Sequence, residues 1–159
     1  MTARRLARPV RLALAPRLGS DIDGAWWPRH ASVAGELPEL VSVLRTRLGE
    51  VDGIEINWSA TEGASDLRSV AMEPAAPVGL HRRPRVMWVR GARSSAKLLV
   101  IPSLTSVEFG TLVLKVAAGL PIRGSDDSGE GTRQAQRVVV AARAESLSWT
   151  HRGCDAGTG

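Results

Sequence analysis

Two adjacent tryptophans, Trp26 and Trp27, stand between Gly24 and Pro28. On an extended backbone, consecutive side chains point to opposite faces. A strand carrying this pair therefore sends one indole to each side of its sheet. At most one indole is then core, and the other belongs to the surface or a pocket. Other rings are scarce: the 159 residues hold five Trp, one Phe and no Tyr. Each indole is expected to have a definite place, with Trp58 and Trp88 in the folded part and Trp149 near the end.

Periodicity supplies the elements around this pair. Leu12 and Leu14 alternate with Arg11 and Ala13, which predicts a short strand over 10–15. Leu37, Leu40, Val41, Leu44 and Leu48 form one apolar stripe, which predicts a helix over 34–48. Pro38 then falls in the first turn, and Gly49 ends the helix. Ile54, Ile56 and Trp58 alternate with Glu55 and Asn57 as a half-buried strand. Residues 59–83 read as a long loop, with a short helix near Asp66–Met72. Residues 85–90 and 96–101 read as a hairpin of two strands. There Val86 and Trp88 share one side, Trp88 in the core, while Arg85 and Met87 share the other. Thr105 and Glu108 match a capping box, and Phe109, Leu112, Val113 and Val116 predict a helix over 106–118. Residues 123–134 read as a linker, and 135–149 are ambiguous between helix and strand.

The expected fold is therefore α+β: a small antiparallel sheet, in the order β-α-β-β-β-α, packed against two amphipathic helices. Residues 1–9 are expected to be a flexible basic arm, 10–120 a single domain, and 121–159 a loosely attached segment.

Charge is distributed unevenly. The formal net charge is +5. Residues 1–20 carry five Arg and no acid, residues 21–80 carry ten acids against four Arg, and residues 81–97 carry five Arg and one Lys without an acid. A basic arm and a basic segment suit phosphate partners. With nineteen Arg against two Lys, coding bias is the competing explanation. One cysteine, Cys154, cannot form an internal disulfide, so a reducing compartment and a cytoplasmic location are expected. No apolar run approaches the roughly 18 residues of a membrane span.

Motifs exclude several chemistries. The phosphate-loop spacing and the Gly-x-Ser-x-Gly elbow are absent. His30, His81 and His151 lie far apart, without ligands at zinc spacing. No catalytic residue, cofactor or metal is expected. Two constellations remain. Residues 21–30 pack two carboxylates, two indoles, Arg29 and His30 into one stretch. Asp23, Trp26, Trp27 and Arg29, with Asn57 and Trp58 beside them, could bind a planar or sugar-like ligand. Asp23 and His30 could instead exchange a proton as an acid–base pair, or Asp23 and Arg29 could form a structural ion pair. The second constellation is Arg82, Arg83, Arg85, Arg90, Arg93 and Lys97 around Trp88, which suits single-stranded nucleic acid.

The stretch Asp23-Gly-Ala-Trp-Trp-Pro-Arg29, followed by Glu36-Leu-Pro38, Leu48-Gly49, Asn57-Trp58 and Leu98-Leu-Val-Ile-Pro102, resembles a family of small uncharacterised actinobacterial proteins. That family carries a DGAWWPRS-type signature, an ELP helix and an LLVVPP-type strand. The resemblance covers residues 11–120 and departs at His30, where the family has Ser, and at Ser103, where it has Pro. It implies an actinobacterial cytoplasmic origin and names no reaction. The expectation is a domain of unknown function, more a binder than an enzyme. It would take a small molecule or a protein through the Asp23–Arg29 loop; nucleic acid on the Arg-rich segments is the alternative, an Asp23/His30 enzyme the second alternative, and no membrane is involved.

Overall fold

The computed structural model describes residues 10–30, 33–58, 84–122 and 129–156. The basic arm, Arg82, Arg83 and the expected loop and helix of 59–83 lie outside the described residues. The chain runs β1 (Leu12–Leu14), β2 (Gly24–Trp26), a 3-10 turn (Ala34–Glu36), α1 (Leu37–Leu48), β3 (Val51–Ile56), β4 (Arg85–Gly91), β5 (Ser95–Val100), α2 (Val107–Ala118) and α3 (Glu130–Ala156). The five strands form one sheet in the order β1-β2-β5-β4-β3. The fold is α+β, but the sheet is mixed: β2 and β5 run parallel, while the other pairs are antiparallel. The expected element order lacks β2, whose three residues are too few to show alternation.

Helices cover both faces of this sheet. On one, Leu40, Leu44 and Leu48 of α1 meet Trp26, Met87, Val89, Leu98 and Val100. On the other, Phe109, Val113 and Ala117 of α2 meet Trp27, Val86, Leu99 and Ile101. Trp26 and Trp27 do point to opposite sides, yet both are core, with 2% and 3% of their surface exposed. The expectation that at most one is buried fails because it assumed a single packed face. The same cause buries Met87 beside Val89, while Trp88 is half-buried.

The C-terminal segment also departs from expectation. Residues 130–134 are helical, not linker, and α3 packs into the core. Its Ala135, Val138, Val139 and Ala142 recur at helical spacing inside the second core cluster. Trp149 packs edge-on against Trp88, with ring centroids 6.5 Å apart. The cap of α2 falls one residue later than expected: Ser106, not Thr105, accepts the N–H of Phe109 at 3.3 Å. No described helix is long and apolar enough to cross a membrane.

Candidate functional site

The signature loop is organised around two carboxylates. Asp23 is 1% exposed. Its Oδ1 accepts the N–H groups of Gly19 at 2.8 Å and Ser20 at 2.9 Å, and its Oδ2 accepts that of Lys97 at 2.9 Å. Its own N–H donates to the Lys97 carbonyl at 2.7 Å, and its carbonyl accepts from Ala15 at 2.7 Å. One residue thereby ties the 16–22 turn to β5 and extends the β2–β5 pairing. Asp23 is held by backbone N–H groups, not by a guanidinium, so the expected Asp23–Arg29 ion pair gives way to a backbone staple. His30 lies elsewhere, 76% exposed, with Nδ1 3.3 Å from Glu36 Oε2. Asp23 and His30 are thus committed to different partners, which removes the structural basis of the acid–base pair.

Glu36 is the second carboxylate, which the sequence shows only as the first residue of the Glu36-Leu-Pro38 stretch. It stands at the start of α1 and turns back to the loop. Its oxygens accept the N–H of Arg29 at 2.9 and 3.0 Å and that of His30 at 2.9 Å. Burial alone would raise its pKa. The two backbone N–H groups, with the imidazole and its charge, outweigh burial and hold the carboxyl below its ordinary value of 4.5. A depressed native pKa stabilises the fold above the unfolded value and loses that contribution as pH falls through the native one. Stability should therefore decline below about pH 4.5. In Glu36→Gln this part of the slope should be missing, as read from urea midpoints across the acid range.

Arg11 also belongs to this loop. Its guanidinium lies 3.8 Å from the centroid of the Trp27 ring. Its Nε donates to the Trp27 carbonyl at 3.1 Å and one terminal nitrogen to that of Pro28 at 3.0 Å. Burial and then the charge of Arg29 lower its pKa, while Glu36 opposes them. Gly110 of α2 lies against the same ring: a Cβ there would fall 2.5 Å from Trp27 Cη2 and Cζ3. The loop consequently encloses only about 10 Å³, bounded by Val10, Arg11, Trp26, Trp27, Arg29, Glu36 and Glu39. That volume is about one water and far below the few hundred Å³ of small-molecule pockets.

Asn57 and Trp58 are not brought into this loop. Asn57 closes the β3–β4 end: its Oδ1 accepts the Val86 N–H at 2.8 Å, and its Nδ2 donates to the Pro84 carbonyl at 3.1 Å and to Glu145 at 3.3 Å. Trp58 packs partly against the α1-side core, with the Arg85 guanidinium 5.1 Å from its ring centroid.

The basic segment forms a different surface. Glu55, Trp88 and Lys97 are cross-strand neighbours on β3, β4 and β5. The Arg90 guanidinium and the Lys97 ammonium stand 4.7 and 4.9 Å from the Trp88 ring centroid. Arg90 also pairs with Glu55. The 91–95 turn docks on the end of α1. The N–H of Arg93 donates to the Leu48 carbonyl at 2.8 Å, and its guanidinium to the Arg45 carbonyl at 3.2 Å. A cation at a helix C-terminus complements the dipole. Gly91 permits this approach, since a Cβ there would lie 2.3 Å from the Leu48 oxygen. An open groove of about 460 Å³ results, lined by Asp52, Trp88, Arg90, Arg93, Ser94 and Ser95, among others.

The geometry thus defines an α+β domain whose signature loop is closed on itself and whose open groove lies at the β4–β5 turn. The chain belongs to the Family of unknown function (DUF5994), which it matches over residues 11–117. No match is found to a curated protein or to a solved structure.

Proposed function

We propose that this domain is a non-catalytic binding module that takes a single strand of nucleic acid along the groove at the β4–β5 turn. One observation carries the reading. Arg90 and Lys97 are both held over the Trp88 indole, and Trp88, Arg90 and Arg93 line an open groove of about 460 Å³. Cations fixed on a ring lose little freedom when a phosphate arrives. Backbone phosphates would meet these cations, and the indole adds a flat apolar surface beside them.

Salt dependence tests this. Anisotropy of a short labelled oligonucleotide should show log K falling against log salt with a slope of about −2, from three phosphate contacts. Lys97→Ala should weaken binding and reduce the slope by about 0.7. Absent binding at low salt, or binding indifferent to salt, would remove the reading.

A second reading keeps the signature loop as a docking surface, supported by Arg29 and His30 at its rim. Its cavity of about 10 Å³ favours a protein over a small molecule. Native mass spectrometry of the protein taken from its host separates the two by the mass and chemistry of what accompanies it.

A further inference from the structure

Asp52 is an anomaly in a groove built for phosphates. The β3–β4 pairing matches Val51 with Gly91 and Gly53 with Arg90, so the register slips and Asp52 is left without a ladder partner. Such a bulge re-aims a side chain. Here it brings the carboxylate to the groove lined by Arg90, Arg93, Ser94 and Ser95. Asp52 is exposed and makes no ion pair with a described residue, although two guanidiniums line the same groove. Arg90 is turned to Glu55 and Trp88, and Arg93 to the carbonyls of α1.

A carboxylate repels phosphate and only accepts hydrogen bonds. In a site that read charge alone it would weaken binding. It gains a use if the ligand presents a hydroxyl donor next to its phosphates. In a polynucleotide the ribose 2′-OH is that donor, attached within the same backbone unit, and it is the group by which proteins tell RNA from DNA. Resting on the groove reading above, we propose that Asp52 accepts a ribose 2′-OH and makes RNA, not DNA, the strand this groove takes.

The test compares RNA and DNA oligonucleotides of one sequence on the full chain. The wild-type protein should bind RNA about tenfold more tightly, the worth of one charge-assisted hydrogen bond. Asp52→Ala should lose that preference by weakening RNA while leaving DNA unchanged or slightly tighter, because the repulsion is gone. Asp52→Asn retains an acceptor oxygen without the charge and should keep part of the preference; it also serves if the alanine variant folds poorly. Salt-dependent binding of both strands with equal affinity would overturn the role of Asp52 and leave the groove reading intact. So would an Asp52→Ala variant that weakens RNA and DNA equally, the mark of a structural effect. Failure of both strands to bind at low salt would overturn the groove reading itself.

Discussion

Trp27→Ala should lower the stability of the fold by about 4 kcal/mol, as a large-to-small change in a close-packed core. The ring touches more than apolar neighbours. It carries the Arg11 guanidinium at 3.8 Å and rests on Gly110. Removing it leaves a void and takes away the surface on which Arg11 is positioned. Gly110→Ala probes the same contact from the helix side and should reverse a familiar sign. Alanine in place of glycine within a helix ordinarily stabilises by about 1 kcal/mol. Here the new methyl would fall 2.5 Å from two ring carbons, so a net loss of about 2 kcal/mol is expected. Gly131→Ala is the control, since its nearest neighbour is a flexible Leu112 methyl at 3.2 Å. Urea unfolding followed by circular dichroism reads all three. An unchanged midpoint in Trp27→Ala would show that the indole is not part of the core, and would return it to the list of binding residues.

The second large effect belongs to Asp23. Asp23→Ala strands three backbone donors, of which that of Lys97 lies within the sheet. Each orphaned donor costs about 1–3 kcal/mol when it cannot reach water. Gly19 and Ser20 are exposed and can be rehydrated. A total of about 3–5 kcal/mol is expected. Asp23→Asn is the more searching variant because the shape is kept. Both carboxylate oxygens accept, two N–H groups on Oδ1 and one on Oδ2. An amide supplies only one acceptor oxygen, so either orientation sets an NH₂ against a backbone N–H. A loss of about 2–3 kcal/mol should follow, and an isostere without effect would contradict the staple.

These two residues show where the sequence was legible. The α1 stripe, the β4–β5 hairpin and α2 were readable because each repeats its apolar residues at one period over ten or so positions. β2 was not, because Gly24-Ala25-Trp26 is short and buried on both sides. The α3 core stripe existed in the sequence as Ala135, Val138, Val139 and Ala142. Its small residues gave it little hydropathy, and the Val138–Val140 run pointed to a strand. Within the signature, the chemical groups were identified but not their partners. Asp23 and Glu36 spend their oxygens on backbone N–H groups, which a search for matching side chains does not see. Arg11 was read as a polar residue of the first strand, although its guanidinium lies over the Trp27 ring. Arg90, Arg93 and Lys97 were legible as charges, whereas the convergence of Arg90 and Lys97 on Trp88 depends on strand register.

The sheet order has a consequence for how the chain assembles. β5 is the last strand in sequence and the middle strand in space. On one side it joins β4 through a tight turn; on the other it joins β2, and the Lys97–Asp23 bond spans 74 residues. Loop closure must be met before such a contact gives anything back. Until residue 100 has left the ribosome, the β1–β2 pair and the β3–β4 pair have no common member. Trp26 and Trp27 then lack the central strand against which both are packed. The tryptophan signature is thus made early and buried late, and its burial depends on the strand that unites the two halves.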